Sequence, residues 1–259
     1  MAQLVDFFIV GTQKGGTTAL HSYLSRHPDT DMPKIKEVHH FDDEVTVNWR
    51  QPQHSRLHGF FDWSRLALRG ESTPIYAYWP ASVERIHRYN PTAKLIMALR
   101  HPLHRAVSQW RMQTARGWET LSCEEAVSAE GRKRVYASPG GVNRVFSYVE
   151  RGFYSEQLER IYRIFPRENV YVYRTDALWL QPSATLSAIE KFLGLDPFLS
   201  RLVEPEYIAP TFAPAHGLAV SAAHSLMSEY KPDIIKTAEL ARMDLSDWLG
   251  EYSEPMMAP

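Results

Sequence analysis

The sequence predicts an α/β fold, a parallel sheet flanked by helices on both faces, within a single domain of residues 1–259. Three observations carry that prediction. Short apolar runs suited to buried strands, Phe7–Val10 and Ala93–Leu99, alternate with stretches whose apolar residues recur at helical spacing. The first run leads straight into a glycine-rich turn, Gly11-Thr12-Gln13-Lys14-Gly15-Gly16-Thr17-Thr18, which opens a helix. The second run, the strongest strand in the chain, ends in Arg100-His101-Pro102 and is again followed by a helix. Strands alternating with helices favour a parallel sheet covered on both sides, and ligands bind such sheets at the carboxyl ends of the strands.

Taken in order, Thr17 to about Arg26 forms the first helix, with Ala19, Leu20, Tyr23 and Leu24 as its apolar members and His27-Pro28 as its stop. Residues 29–41 make a polar connection. Residues 42–69 lack clean periodicity but hold Trp49, Phe60, Phe61 and Trp63, so they are expected as irregular structure over the core, lining an acceptor pocket. Gly70–Pro74 reads as a strand end entering a turn, and a helix from about Pro80 to Tyr89 stops near Asn90-Pro91. After Pro102 a helix carries the stripe Leu103, Val107 and Trp110. Residues 116–152 form a second segment without an assigned element, containing Arg132-Lys133-Arg134 and Gly140-Gly141. Leu158, Ile161, Tyr162 and Phe165 mark a helix, Asn169–Tyr173 a strand, and Leu186, Ile189 and Leu193 a helix capped by Gly194. A proline-containing loop across 197–214 precedes a helical region from about Ala222 to Met243, expected to be interrupted at Pro232.

Hydrophobic residues make up 44% of the chain and charged ones 23%, ordinary values for a globular protein. A formal net charge of −1 argues on global grounds against a nucleic-acid binder, while leaving room for a local basic pocket. The single cysteine, Cys123, excludes an intramolecular disulfide and suits a reducing compartment. No run approaches the ~20 apolar residues of a membrane span. The N-terminal run breaks at Asp6 and feeds the glycine turn, so it reads as strand rather than signal peptide, and the expected location is cytoplasmic.

A strand, a glycine-rich turn and a helix N-terminus together make a phosphate site, because backbone N–H groups and the helix dipole both favour an anion there. Gly11 and Gly16 keep the spacing of the nucleotide loop G-x-x-x-x-G-K-[ST], which makes the fold P-loop-like. Thr17, however, takes the lysine position, and the lysine, Lys14, lies inside the loop. This loop resembles that of the sulfotransferases that use 3′-phosphoadenosine 5′-phosphosulfate (PAPS), G-x-x-K-x-G-T-T/S. The nearest flavour is the carbohydrate branch, which includes the heparan sulfate enzymes and bacterial homologues. A second family pattern, L-R-x-P-x-x-R-x-x-S, is matched in full by Leu99-Arg100-His101-Pro102-Leu103-His104-Arg105-Ala106-Val107-Ser108. A third, K-E-x-H-F-F, is matched by Lys36-Glu37-Val38-His39-His40-Phe41, with His40 where an aromatic is usual.

The resemblance implies PAPS as co-substrate, PAP as product, and roles for these residues. Lys14 stabilises the leaving phosphate, with Gly15, Gly16, Thr17 and Thr18 around the 5′-phosphate and Arg100 and Ser108 on the 3′-phosphate. Glu37 is the general base, with His39 or His40 as runner-up. Glu71-Ser72-Thr73-Pro74 resembles a strand end near the acceptor, with Ser72 in place of the usual lysine, and Tyr154 is a candidate to reach the donor. Ala213-Pro214-Ala215-His216-Gly217 stands where the family closes over the adenine, but without its lysine. The expected partner is a carbohydrate or small-molecule acceptor. The competing readings are a P-loop kinase or NTPase and a catalytically silent nucleotide-binding protein. Thr17 at the lysine position, and arginine rather than aspartate ending the strongest strand, weigh against the kinase. No metal is expected, because His39-His40 and His101-x-x-His104 lack the partners that would complete four ligands. The basic trio reads as a solvated turn, or as a patch that steers an anionic acceptor.

Overall fold

Phe7 and Ile9 point to one face of the first strand and Phe8 and Val10 to the other, and all four side chains are sealed from solvent. In the computed structural model, which describes residues 3–201 and 218–250, this strand is the middle of a five-stranded sheet. The elements in chain order are β1 (Phe7–Gly11), α1 (Thr17–Leu24), β2 (Thr30–Asp31), α2 (Ser55–His58), β3 (Leu68–Ser72), α3 (Ser82–Tyr89), β4 (Lys94–Leu99), α4 (Pro102–Ala115), α5 (Cys123–Val127), α6 (Ala129–Tyr136), α7 (Tyr154–Ile164), β5 (Val170–Arg174), α8 (Thr175–Leu180), α9 (Pro182–Leu193) and α10 (Val220–Ala241). The sheet order is β2-β3-β1-β4-β5 and every pairing is parallel, as expected.

The described residues gather into two compact units. One is built on the chain up to Leu99 and again from Arg160, and it holds the sheet; the other is built on Arg100–Glu159 and the C-terminal helical region. In the sheet unit, Phe7, Ile9, Ile96 and Ala98 pack with Leu20 and Leu24 of α1, Leu178 of α8, and Leu186, Ile189 and Leu193 of α9. Phe8, on the opposite face, meets Phe41 edge-on at 5.4 Å and Tyr89 of α3 at 6.4 Å. Gly70 on β3 pairs with Phe7, and a Cβ there would stand 2.0 Å from the phenyl ring, so this strand position admits no side chain.

The segment 42–69 is not wholly irregular: it contains α2, and it is fastened to α3. Arg85 forks onto both oxygens of Glu44 at 2.7 Å and lies over the Trp49 ring at 4.0 Å. In the second unit, residues 116–152 contain two helices that periodicity did not disclose, because each is short. α5 opens with a capping box between Ser122 and Glu125, and α6 with Ser128, whose hydroxyl accepts from Gly131 N. α10 runs unbroken through Pro232. The lost backbone bond is offset by burial on that stretch: Tyr230 and Ile234 are buried, and Asp233 accepts from the amides of Tyr154 and Ser155 at the start of α7. The short strand β2 and the helix α8 were likewise not anticipated, being two and six residues long. Among the described residues no helix is long and apolar enough to cross a membrane.

Candidate active site

The loop after β1 is shaped by two glycines with different tasks. Gly16 sits at φ +78° as the N-cap of α1, where a Cβ would meet Trp179 at 3.0 Å and Thr175 at 3.2 Å. Gly15 lies against backbone: a Cβ there would come within 2.8 Å of Thr12 O and 3.0 Å of Ala98 O. Its amide donates to Thr12 O at 2.8 Å, so Gly15 closes the turn rather than offering its N–H outward. Having no side chain, the N-cap of α1 leaves the first-turn amides, those of Thr17 and Thr18 among them, without a side-chain cap. A cradle that only glycine fits, at the start of a helix with no acidic residue in its first turn, suits a phosphate. Lys14 lies within this loop, half-buried, with its backbone at φ +70°.

The neighbouring strand β3 ends beside the second predicted group. Glu37 and His39 also adopt left-handed backbone, at φ +66° and +53°, so three of the four described non-glycine residues with positive φ are candidate catalytic residues. Such conformations persist only where surroundings enforce them, and they cluster at functional sites. Glu37 Oε1 lies 2.7 Å from Lys36 Nζ, and Glu37 Oε2 lies 3.6 Å from His39 Nε2. His39 Nδ1 in turn lies 2.8 Å from Asp42 Oδ2, and Asp42 is sealed from solvent. Burial pushes the Glu37 carboxyl up, but the His39 hydrogen bond and the Lys36 ammonium outweigh it and bring it to about 2. The hydrogen bond to Asp42 and then the pairing with Glu37, against the opposing effect of burial, raise the His39 imidazole to about 9. His39 is therefore a cation at neutral pH and Glu37 an anion, which leaves Glu37 the proton acceptor of the two.

His40, the other runner-up, is buried. Its Nε2 lies 2.9 Å from His54 Nδ1, and burial first, then His54, lower its value to about 4. Ser72 is buried too; its carbonyl accepts from Glu37 N at 3.1 Å, and its Oγ has no hydrogen-bond partner among the described residues. Asp42 is the residue that the sequence reading missed, although its signal was present: a carboxylate three positions after His39, close enough to face an imidazole.

In the second unit, Arg100 directly follows β4 and is half-buried. Burial lowers its guanidinium value, with Arg105 and Arg111 acting in the same direction, so three arginines share one neighbourhood. Tyr154, fully buried, donates its hydroxyl to Arg100 O at 2.7 Å, which fixes the backbone here rather than offering the phenol to a ligand. Arg105 is fully buried and bonds Gln109 Oε1 at 2.7 Å and the Tyr148 carbonyl, an architectural role. Ser108 lies on α4, half-buried. His101 and His104 stack at 4.5 Å; burial first, then a neighbouring positive charge, lowers them to about 3 and about 4. The basic trio is not a free patch: Arg132 pairs with Glu150 and Glu229, Lys133 with Glu130, and Arg134 with Glu119. Among the described residues no group of three or more His, Cys, Asp or Glu is placed to hold a metal. The stretch 213–217 lies outside the described residues.

The parallel sheet and the glycine loop at the end of β1 put the chain in the class of P-loop-like α/β folds. It belongs to the sulfotransferase domain family, whose match runs over residues 4–249. The chain is 29% identical over 199 residues to heparan sulfate glucosamine 3-O-sulfotransferase 5 of Homo sapiens, covering 77% of this chain and 56% of that protein. It is 30% identical over 190 residues to heparan sulfate glucosamine 3-O-sulfotransferase 6 of Homo sapiens, covering 72% and 51%. The chain thus spans about half the length of the curated relatives it matches. Among solved structures it is similar to a sulfotransferase from Alicyclobacillus acidocaldarius, with TM-score 0.77 and 27% identity over 96% of this chain and 99% of that one. A sulfotransferase domain from the curacin biosynthetic pathway shares the fold at TM-score 0.55 and 16% identity, covering 95% of this chain and 100% of that one.

Proposed function

We propose that the chain transfers a sulfuryl group from PAPS to a hydroxyl, or an amine, of a carbohydrate or small-molecule acceptor. One observation carries the reading: the adjacent parallel strands β3 and β1 end, respectively, against the Glu37 turn and in the Lys14 loop. A transferase of this kind must take a proton and neutralise a leaving phosphate, and these two strand ends supply a group for each; Arg100, which follows β4 directly in the chain, is the candidate for recognising a second phosphate. Relatives named for a glucosamine 3-hydroxyl support a carbohydrate hydroxyl as acceptor.

In this reading the Glu37 carboxylate takes the proton from the acceptor hydroxyl as its oxygen bonds to sulfur, late enough for a weak base to serve. Lys14 neutralises the charge that builds on the phosphate oxygen as its bond to sulfur breaks. The amides of Gly16, Thr17 and Thr18 and the threonine hydroxyls hold the 5′-phosphate, while Arg100 and Ser108 bind the 3′-phosphate. The Asp42-held imidazolium of His39 keeps Glu37 oriented and ionised. The expected compartment remains the cytoplasm, which the single cysteine, buried Cys123, supports.

The test is calorimetry followed by transfer. PAP should bind, and adenosine 5′-monophosphate, which lacks the 3′-phosphate, should bind far more weakly. Radiolabelled PAPS should pass its label to at least one member of a panel of glucosamine-containing oligosaccharides and small alcohols. Tight binding of ATP–Mg²⁺ in preference to PAP would point to the kinase reading. PAP binding that survives Lys14→Ala, with no label transferred to any acceptor, would point to the silent one.

A further inference from the structure

Five consecutive backbone amides in the base turn are each taken by one short segment, Glu71 to Tyr76, that runs from the end of β3 into the turn beyond it. Glu37 N donates to Ser72 O at 3.1 Å, Val38 N to Glu71 Oε1 at 3.3 Å, and His39 N to Thr73 Oγ1 at 3.4 Å. His40 N and Phe41 N donate to the Tyr76 hydroxyl at 3.1 and 3.4 Å. A chain that is left-handed at Glu37 and His39 cannot continue a helix or strand ladder for these donors, so after the one backbone bond to Ser72 the next four are accepted by side chains.

We propose that Glu71, Thr73 and Tyr76 are positioning residues for the transfer step, with Glu71 central: together they hold the left-handed turn that presents Glu37 and His39. The inference rests on the sulfuryl-transfer reading above and extends it to residues that touch neither donor nor acceptor. Glu71 is fully buried, and its Oε1 accepts both Val38 N and, at 2.5 Å, the Thr73 hydroxyl. Because Thr73 spends its hydrogen on Glu71, its oxygen lone pair is turned to His39 N. The grip on His39 therefore depends on Glu71. Tyr76, also fully buried, accepts from the amides of both His40 and Phe41.

The second oxygen, Oε2, is buried with no hydrogen-bond partner among the described residues. Burial raises this carboxyl to about 7, and the charge of Asp42 pushes it the same way. An acid placed at such a disadvantage is unsuited to supplying charge. Its contribution is the oxygen that accepts two hydrogen bonds at the back of the turn.

The experiment compares Glu71→Ala with Glu71→Gln, which keeps an acceptor oxygen. His39 is followed by imidazole NMR titration, PAP binding by calorimetry, and turnover with PAPS and a glucosamine-containing oligosaccharide. In Glu71→Ala the turn loosens, and the His39 titration should fall from about 9 toward its ordinary value of ~6.5. PAP affinity should stay within about twofold, and kcat should drop at least about tenfold with the KM for PAPS unchanged. Glu71→Gln should keep the high His39 value and most of kcat. A His39 titration that stays put in Glu71→Ala, or that falls as far in Glu71→Gln as in Glu71→Ala, overturns the proposal, since the second result would trace the shift to the lost charge rather than to the lost acceptor. Parallel loss of PAP affinity and kcat also overturns it. Should Glu71→Ala not fold, Thr73→Val cuts the His39 link by itself and is judged by the same His39 readout. That readout needs no sulfate donor, so an inactive wild-type protein would sink the transfer reading without deciding this one.

Discussion

His39 turns its Nδ1 onto Asp42 Oδ2 at 2.8 Å, and the carboxylate it meets is closed off from solvent. The imidazole therefore carries its charge well past neutrality. Its folded value, about 9, lies above its unfolded one, so the contribution of the pair is fully present below about 6.5 and is lost as pH rises through about 9. The turnover profile should be level from about pH 5 to 8 and fall above about 9. Asp42→Asn should move that alkaline limb down toward neutrality, as read from kcat against pH and from NMR titration of His39.

Glu37 behaves with the opposite sign. Its folded value of about 2 is below the unfolded one, so its ion pairs stabilise above about 4.5 and are lost as pH falls through about 2. No acid limb is expected in kcat above about pH 4. Glu37→Gln should lower kcat by roughly 10²–10⁴ while PAP affinity, measured by calorimetry, stays near wild type.

Gly16→Ala places a Cβ 3.0 Å from the Trp179 ring on a backbone at φ +78°. The strain should cost roughly 1–3 kcal/mol in urea unfolding and weaken PAP binding with it. Lys14→Ala, by contrast, should leave unfolding unchanged within about 0.5 kcal/mol and reduce kcat by roughly 10²–10³, the scale of losing one group that stabilises developing charge.

Arg100→Ala should act on donor recognition, raising the KM for PAPS by roughly 10- to 100-fold, the worth of a charge-assisted phosphate contact. The informative comparison is adenosine 5′-monophosphate, which lacks the 3′-phosphate: its affinity should be nearly the same for the wild-type and Arg100→Ala proteins.

Within the basic trio the expected effects differ residue by residue. Lys133 is exposed and, among the described residues, pairs with exposed Glu130, so Lys133→Ala should change stability by less than about 0.5 kcal/mol. Buried Arg132 joins half-buried Glu150 and exposed Glu229, and Arg132→Ala, which leaves Glu150 without this partner, should destabilise by roughly 3 kcal/mol in thermal or urea unfolding.

The sheet was legible because buried parallel strands leave continuous apolar runs such as Lys94–Leu99, and the phosphate loop because its glycines have fixed spacing. Arg100 and Glu37 became candidates for a different reason, resemblance to a family pattern. The helices α5 and α6 were not, since helices of five and eight residues held by Ser122 and Ser128 caps carry too few turns for a periodic signal. Glu71 is the instructive case. Sequence placed it near an acceptor, but its side chain faces the back of the base turn, and no spacing rule reports that five amides of another segment need acceptors there. The pairing of Arg132, Arg134 and Lys133 was equally silent, because Glu150, Glu229, Glu119 and Glu130 are brought in by folding.

Thr175 Oγ1 donates to the Gly15 carbonyl at 2.9 Å, and Thr175 and Trp179 together stand against Gly16. The rear of the phosphate loop is thus braced by the polypeptide itself before any anion arrives. Little chain freedom remains to be surrendered on encounter, so on the proposed reading the free energy of a first contact with phosphate would go into telling one ester from another rather than into shaping the receptacle.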